Sequence, residues 1–282
     1  MKYRFLIILT LCLTSVIMNG QTAKSLFRLS DSLQVMEISS DIPCLAEELG
    51  HEGPAVENSH MALRMRFDDS GSIDVYSKNA RGMELTQYLW NTTRGQQDTL
   101  YVGCDSYVTG GTLGLGGIAL WDGNQVVRLA ATKGRTARVG DTGKGAYMEM
   151  ISYGIPYMDG YVDISVRVDV VAKSRLATVT ATELSGEKVM FLTGVNYHPG
   201  QKVTEGTGII SVWGPHPAGE ASFPIGAGVF YSEKLFMTSE KTDDMVRIIS
   251  KPSSKVSVKI ISASTKEAEL NSAKRFETYM NK

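Results

Sequence analysis

Residues 162–170 alternate strictly between two kinds of side chain. Valine or isoleucine occupies the even positions, and Asp163, Ser165, Arg167 and Asp169 occupy the odd positions. Because successive side chains of a strand point to opposite faces, this pattern predicts a strand with one buried and one polar face. The β-branched residues at the apolar positions favour the same conformation. The fold must therefore contain a sheet with an apolar layer against one of its faces.

Other strand-like segments follow one another along the chain, with turn residues between them. Three pairs flank such turns and predict hairpins: 61–67 with 73–76, 118–121 with 126–129, and 176–184 with 189–195. Further strands are predicted at 147–153, 208–213, 227–231, 245–249 and 256–263. Since no helical segments separate these strands, we expect an all-β fold, a large antiparallel β-sandwich.

The C-terminal segment alone predicts a long helix. Apolar residues recur at three- and four-residue steps between positions 270 and 280, which gives one apolar stripe. Ser264 or Thr265 can cap this helix, with Glu267 in its first turn. A weaker helical pattern covers residues 44–49. We therefore expect a C-terminal helix that packs on the sandwich.

The first 20 residues predict a secretory signal. Lys2 and Arg4 precede an apolar run of about 14 residues, which is shorter than the ~20 that a membrane span needs. Cleavage after Gly20 or after Ala23 would leave no stable membrane anchor. We expect export to the periplasm or the cell exterior.

The rest of the chain divides into an N-terminal extension, 21–54, and a single β-sandwich domain, 55–282. No linker, repeat or low-complexity tract interrupts the second segment. After removal of the signal, the chain holds two cysteines, Cys44 and Cys104. They could form one disulfide in an oxidising compartment or remain two separate thiols.

Charge and motif content argue against several classes of partner and cofactor. The sequence has 29 Lys and Arg against 30 Asp and Glu, so its net charge of -1 gives no general attraction to nucleic acid. The glycine-rich run 110–117 leads into a predicted strand rather than the helix that a phosphate-binding loop requires. No Cys and His residues have the spacing of a metal site. We expect neither a cofactor nor a metal.

Histidines that follow predicted strands are candidate acid–base groups. His198 and His216 both lie in proline-containing loops after apolar strands, where a rigid sandwich can display reactive groups. An imidazole there can accept or donate a proton near neutral pH. We predict His198 as base or acid, His60 or Tyr107 as its counterpart, and Asp105 as a group that orients a neighbour or binds a hydroxyl. Hydrogen bonding of a turn is the alternative role for each histidine.

Polar strand residues and aromatic rings form a candidate saccharide-binding set. Arginine binds carboxylates through paired hydrogen bonds, and sugar rings stack on aromatic planes. The predicted substrate-binding residues are Arg64, Arg167, Trp121, Trp213 and Glu149. On an outer face the charged members would only be solvated, and core packing is the alternative for the tryptophans.

Several short motifs are spread over the predicted domain. They are Glu-Asn-Ser-His at 57–60, Cys-Asp-Ser-Tyr at 104–107, Gly-Gly-Ile-Ala-Leu-Trp at 116–121, Asn-Tyr-His-Pro-Gly at 196–200 and Gly-Ala-Gly-Val-Phe-Tyr at 226–231. These motifs resemble the domain-of-unknown-function family 4861. The resemblance implies a secreted bacterial protein that accompanies polysaccharide degradation, with a galactose-mutarotase-like β-supersandwich fold.

Residues and resemblance together predict a periplasmic carbohydrate-active protein with a saccharide ligand. Proton transfer at a sugar carbon, as in lyases and epimerases acting on acidic saccharides, matches the His, Tyr and Arg candidates; hydrolysis by a carboxylate pair is an alternative. A second alternative is a non-catalytic carbohydrate-binding or structural accessory. The stretch 90–98 favours that alternative, because the family members have a His- and acid-rich stretch where this chain reads Trp-Asn-Thr-Thr-Arg-Gly-Gln-Gln-Asp.

Overall fold

The computed structural model describes residues 21–217 and 223–282, and the predicted signal in residues 1–20 lies outside them. The strands, in chain order, are β1 (Thr22–Ser25), β2 (Glu37–Ser40), β3 (Ala55–Asn58), β4 (Ala62–Met65), β5 (Ile73–Ser77), β6 (Cys104–Asp105), β7 (Ala119–Trp121), β8 (Val126–Val127), β9 (Arg135–Thr142), β10 (Gly145–Tyr157), β11 (Gly160–Val171), β12 (Ala177–Glu183), β13 (Met190–Asn196), β14 (Lys202–Gly206), β15 (Ile209–Pro215), β16 (Pro224–Phe230), β17 (Phe236–Lys241), β18 (Met245–Ser250) and β19 (Lys255–Ser264). The α-helices are α1 (Arg94–Leu100) and α2 (Ala273–Met280).

These strands form three antiparallel sheets around a shared apolar core. The nine-stranded sheet has the order β14-β15-β16-β19-β12-β11-β10-β9-β2, and two five-stranded sheets have the orders β1-β3-β4-β5-β6 and β17-β18-β13-β7-β8. Fully buried Leu63, Ile164 and Phe191 come from different sheets and belong to one apolar cluster. With 48% of the described residues in strands and 8% in helices, the predicted all-β sandwich with a C-terminal helix is confirmed.

The alternating segment forms the middle of the large sheet. The apolar side chains of β11 from Val162 to Val170 are at most 4% exposed, whereas Asp163, Arg167 and Asp169 are half-buried. The β11 strand pairs with β10 on one side and β12 on the other. Period-2 patterning therefore identified both the strand and its buried face.

One predicted hairpin is wrong. The segments 176–184 and 189–195 form β12 and β13, but β12 pairs with β11 and β19 while β13 pairs with β7 and β18 of another sheet. The Glu183 carboxylate accepts backbone N–H bonds from Ser185 and Gly186 at 2.7 and 2.9 Å and turns the chain between the layers. Turn residues show that a chain reverses, but they do not show which sheet receives the next strand.

The C-terminal helix begins later than its sequence predicts. Ser272, rather than Ser264 or Thr265, caps α2 by accepting a hydrogen bond from the Arg275 N–H. Residues 265–272 form turns instead, because their acidic side chains pair with an arginine of the β11–β12 turn, as described below. Buried Phe276 of α2 packs against Trp213, with ring centroids 5.5 Å apart.

One other helical prediction needs correction, and one helix was not predicted. The segment 44–49 contains only one short 3-10 turn, Ala46–Glu48. Helix α1 (Arg94–Leu100) overlaps the stretch 90–98 and was not predicted from the sequence. Its Thr93 and Gln96 form a reciprocal capping box that is readable from sequence.

The glycine-rich run provides close packing against neighbouring segments. Gly114 and Gly116 have positive φ values of 68° and 71°, which favour glycine. A Cβ atom at Gly116 would lie 2.5 Å from the Ile260 side chain, so that position also needs the space. Cys44 is exposed and Cys104 is buried, and neither forms a disulfide.

The segment 21–54, predicted as an extension, contributes to two sheets. Its β1 pairs with β3, and its β2 pairs with β9 at the edge of the nine-stranded sheet. Among the described residues, no helix has the length and apolar character needed to cross a membrane.

Candidate functional site

A cleft of about 800 Å³ opens beside the turn between β3 and β4. Its volume lies in the range typical of small-molecule sites, which is about 300–1,000 Å³. Two smaller recesses continue from the cleft, and His60 lines all three cavities. This region, called the His60 cleft below, is lined principally by His60, Arg81, Lys173, Arg175, Glu269 and Tyr279.

The buried Asn58 side chain fixes two walls of the His60 cleft relative to each other. Its Oδ1 accepts hydrogen bonds from the backbone N–H groups of His60 and Met61 at 2.8 and 3.0 Å, an Asx-type turn. Its Nδ2 donates to the carbonyls of Val171 and Ser174 at 3.0 and 2.9 Å. One amide therefore ties the histidine turn to the β11–β12 turn that carries Lys173 and Arg175.

Arg175 connects the second wall to the third. It is 9% exposed and donates to Glu267 from Nη1 at 3.0–3.1 Å and to Glu269 from Nε and Nη2 at 3.1 and 2.9 Å. Such paired bonds fix the carboxylates in position and in orientation. Exposed Arg81 also pairs with Glu269. These contacts hold residues 265–272 against the sheet and explain why this segment is not helical.

A buried ion pair lies beneath the loop that carries Arg81. Lys78 Nζ lies 2.5 Å from Glu57 Oε1 and donates to the Gly82 carbonyl. The Glu57 carboxylate also accepts the Glu84 N–H at 2.9 Å. Burial raises the pKa of Glu57, whereas Lys78 opposes that shift. Breaking such a pair would leave an uncompensated buried charge, so it anchors the loop strongly.

His60 itself is half-buried, and its imidazole makes no hydrogen bond with the described residues. Burial, and then the positive charges of Arg175, Arg81 and Lys78, lower its pKa to about 4. Its ring is therefore neutral at physiological pH and can accept a proton. Lys173 is exposed and forms no ion pair with another described residue. A neutral base thus lies among cations in an open cleft.

Two other predicted catalytic residues meet elsewhere, around the backbone N–H and carbonyl of Val108. Tyr107 donates its hydroxyl proton to Asn196 Oδ1 at 2.5 Å, and Asn196 Nδ2 donates to the Val108 carbonyl at 2.8 Å. His198 Nε2 lies 2.8 Å from the same carbonyl, and the Val108 N–H donates to His216 Nδ1 at 3.1 Å. We call these five residues the Val108 cluster.

The Val108 cluster specifies the tautomers of its two histidines. Because a carbonyl can only accept, Nε2 of His198 must carry the proton; because Nδ1 of His216 accepts, that atom must be bare. Burial, and then the nearby His198, lower the pKa of His216 to about 3. Burial also raises the pKa of Tyr107. Tyr107 and His216 are thus held neutral, and Tyr107, His198 and His216 all have backbone or amide partners.

Arg64 and Asp105 are brought together in a buried charge cluster. The Arg64 guanidinium donates from Nε and Nη2 to Asp74 Oδ2 at 3.1 and 2.8 Å, and its Nη2 lies 3.5 Å from Asp105. It also lies 4.6 Å above the Trp90 ring. Burial, and then the charge of Asp74, raise the pKa of Asp105 to about 7. No hydrogen bond or ion pair among the described residues joins this cluster to His60.

Arg167 and Glu149 lie on the polar face of the nine-stranded sheet. They are cross-strand partners in β11 and β10. Arg167 forms paired bonds to Asp169 at 2.9 and 2.8 Å and lies 3.7 Å above the Tyr147 ring. Glu149 accepts the Ser165 hydroxyl at 2.7 Å. Their partners are therefore neighbouring side chains of the sheet.

The two predicted tryptophans are separate from each other. Trp121 lies in β7 beneath the Arg247 guanidinium, 5.0 Å from its ring centroid. Trp213 belongs to β15 and packs against α2. Neither residue is among those that line the His60 cleft.

Sequence reasoning found His60 but missed the other principal residues of its cleft. The missed residues are Arg81, Lys173, Arg175, Glu269 and Tyr279. Lys-Ser-Arg at 173–175, between two predicted strands, was a readable sign of a cationic turn. No local pattern predicted that residues 81 and 269 would meet this turn. Within the described ranges, no three His, Cys, Asp or Glu side chains could together hold a metal ion.

Two solved structures show distant similarity to this chain. One match is 4-alpha-glucanotransferase from Thermococcus litoralis, with 9% identity and a TM-score of 0.37, covering 75% of this chain and 39% of that one. Another is a polysaccharide lyase, with 13% identity and a TM-score of 0.29, covering 78% of this chain and 34% of that one. The chain thus spans little more than a third of either length.

No curated protein sequence matches this chain. A family model does match, and it covers residues 16–282. The resemblance predicted from short motifs is therefore confirmed over nearly the whole chain. The protein belongs to the family described as Domain of unknown function (DUF4861).

Proposed function

We propose that this protein is carbohydrate-active and takes an acidic saccharide into the His60 cleft. The observation that carries the proposal is the neutral imidazole of His60, which lies among Arg81, Lys173 and Arg175 and has no hydrogen-bond partner among the described residues. Glu267 and Glu269 neutralise these three positive charges only in part, so the cleft attracts a carboxylate. Arginine can bind a carboxylate through two parallel hydrogen bonds. The polar side chains of the same cleft suit the hydroxyl groups of a sugar.

The proposed chemistry is proton abstraction from the sugar carbon that bears the carboxylate. His60 accepts that proton, and the charge left on the carbon spreads onto the carboxylate, where nearby cations stabilise it. In a lyase, the bond to the glycosidic oxygen then breaks, and Tyr279 or water protonates the leaving oxygen. In an epimerase, a proton returns to the opposite face of the carbon.

A role in polysaccharide degradation outside the cytoplasm forms part of the proposal. The signal pattern of residues 1–20 supports export to the periplasm or the cell exterior. The family motifs support it as well, because they resemble secreted bacterial proteins that accompany such systems. Oligosaccharides released from acidic polysaccharides are the substrate class that matches both the compartment and the cleft.

Non-catalytic binding of the same saccharides is the second candidate function. The pKa of about 4 favours it, because a general base works best when its pKa lies near the operating pH. In this case the cationic wall would hold the ligand, and His60 would contact it without removing a proton. Both candidates use the same cleft, so they differ only in turnover.

The test incubates the purified protein with neutral and acidic oligosaccharides and measures both binding and turnover. Ultraviolet absorbance detects unsaturated uronates from a lyase, and incorporation of solvent deuterium detects an epimerase. Binding without turnover supports the second candidate. Failure of every acidic saccharide to bind would contradict both candidates.

Lys173→Ala and Lys188→Ala form a matched pair for that test. Both lysines are exposed and lie between consecutive strands, but only Lys173 lines the cleft. We expect Lys173→Ala to weaken binding of the acidic saccharide severalfold and Lys188→Ala to leave it unchanged. Equal affinities for the two variants would show that the ligand binds elsewhere.

A further inference from the structure

Two guanidinium groups of the His60 cleft share one carboxylate. Arg175 donates to Glu269 through two nitrogens, and Arg81 forms an ion pair with the same carboxylate. Arg175 keeps 9% of its side chain exposed, whereas Arg81 keeps 62% and Glu269 keeps 42%. The Arg175 side of this network is therefore fixed in the wall, and the Arg81 side faces open space.

The two carboxylates that Arg175 binds are not equivalent. Glu267 is 12% exposed, and its side chain also accepts the Leu270 N–H at 2.8 Å. The Glu269 carboxylate has only the two guanidinium groups as partners among the described residues. If Arg81 left Glu269, the carboxylate would still be paired with Arg175. An exposed ion pair stabilises little, so Arg81 can exchange its partner at small cost.

We propose that Arg81 selects acidic saccharides, and that Glu269 holds Arg81 in the empty cleft until the saccharide carboxylate replaces it. This inference rests on the proposed function, because it requires an acidic saccharide in the His60 cleft. Arg81 has the planar donor pair that a carboxylate prefers, which Lys173 lacks. Glu269 competes with the ligand for Arg81 and thereby sets the affinity.

The inference assigns opposite effects to substitutions of the two paired residues. Glu269→Gln keeps the size of the side chain and removes the competing charge, so an acidic saccharide should bind more tightly. Arg81→Gln removes the selecting group, so the same saccharide should bind more weakly. A neutral saccharide has no carboxylate for Arg81 and should bind equally to both variants and to the unchanged protein.

Isothermal titration calorimetry with three probes tests the inference: trigalacturonate, a glucuronate-terminated disaccharide, and maltotriose as the neutral probe. We expect at least one acidic probe to bind about tenfold more tightly to Glu269→Gln and about tenfold more weakly to Arg81→Gln, a size typical of hydrogen bonds to charged groups. Glu267→Gln is the matched control, since it also removes a charge from Arg175 but leaves Arg81 and Glu269 paired. It should not tighten binding.

The double variant Arg81→Gln with Glu269→Gln separates competition from a general change in charge. If Glu269 acts through Arg81, the double variant should bind no more tightly than Arg81→Gln alone. Tighter binding by the double variant would overturn the inference, as would equal or weaker binding by Glu269→Gln when the unchanged protein binds the probe. Absence of binding by every form, with thermal melting showing folded protein, would overturn the proposed function as well.

Discussion

The His60 cleft and the Val108 cluster both contain histidine, yet their histidines are held in different ways. His60 lies in a turn fixed by Asn58, and its ring has no hydrogen-bond partner among the described residues. His198 hydrogen-bonds the carbonyl of Val108, and His216 accepts from the N–H of the same residue. The hydrogen-bond partners of a histidine, rather than its residue type, thus distinguish an imidazole that is available to accept a proton from one that holds the backbone.

The local causes of this difference lie in short sequence segments. Asn58 supplies both an acceptor for its own turn and donors for a neighbouring turn. The imidazole of His60 is therefore not needed for the hydrogen bonds that hold these turns. The backbone N–H of His198 donates to Gln201 Oε1 at 2.9 Å, which directs the ring back toward Val108. The proposed role as base and the support of the backbone therefore fall to different histidines.

The largest expected effect is on turnover, and it distinguishes His60 from His198. His60→Gln should lower kcat at least about 100-fold, since it removes the general base. His198→Gln should stay within about threefold of the unchanged protein, because loss of one backbone bond affects mainly stability. Steady-state rates with an acidic oligosaccharide, well below the melting temperature, measure both. The reverse pattern would place the base in the Val108 cluster.

The pH dependence of turnover sharpens the comparison. With a pKa of about 4, His60 stays neutral as pH falls through 6.5, so about nine-tenths of kcat/KM should remain at pH 5. A base with the ordinary histidine pKa of about 6.5 would lose most activity by that point. A bound carboxylate favours the charged imidazole, so the acid limb of kcat should lie at higher pH than that of kcat/KM. An acid limb of kcat/KM near 6.5 would contradict the assignment.

Tyr107→Phe tests the structural role of the Val108 cluster. This substitution leaves the buried Asn196 Oδ1 without its hydroxyl donor, which typically costs about 1–3 kcal/mol in the free energy of unfolding. Urea denaturation measures that loss, and calorimetry should show unchanged saccharide affinity. Unchanged stability with lost binding would instead indicate that Tyr107 contacts the ligand.

The smallest expected effects concern predicted binding residues outside the cleft. Arg167→Ala and Trp121→Ala should each change saccharide affinity by less than about twofold, because both side chains contact other parts of the sandwich. Direct titration of each variant is the measurement. A loss of tenfold or more at either position would show that a saccharide also binds that surface.

The sequence predicted strands better than it predicted their assembly. Alternation in 162–170 identified β11 and its buried face, because the strand period depends only on local geometry. It did not show that β12 and β13 lie in different sheets, because pairing is decided by distant partners. The C-terminal helix began late for the same reason: Glu267 is bound by Arg175 of the β11–β12 turn instead of serving the first helical turn.

The candidate site was predictable only in part. His60 was identified by its chemistry, and its low pKa arises from burial and cations that no local pattern reveals. Arg81, Arg175 and Glu269 come from three separate loops, so their meeting depends on the completed fold. Residue type thus indicates what a side chain can do, while the loops decide which side chains act together.

A titration of the four histidines by nuclear magnetic resonance tests the central assignment most directly. The account predicts that an acidic oligosaccharide shifts the imidazole signals of His60, raises its pKa from about 4, and leaves the signals of His198 and His216 unchanged. An unaltered His60 spectrum at saturating ligand, with shifts at His198 instead, would contradict the account.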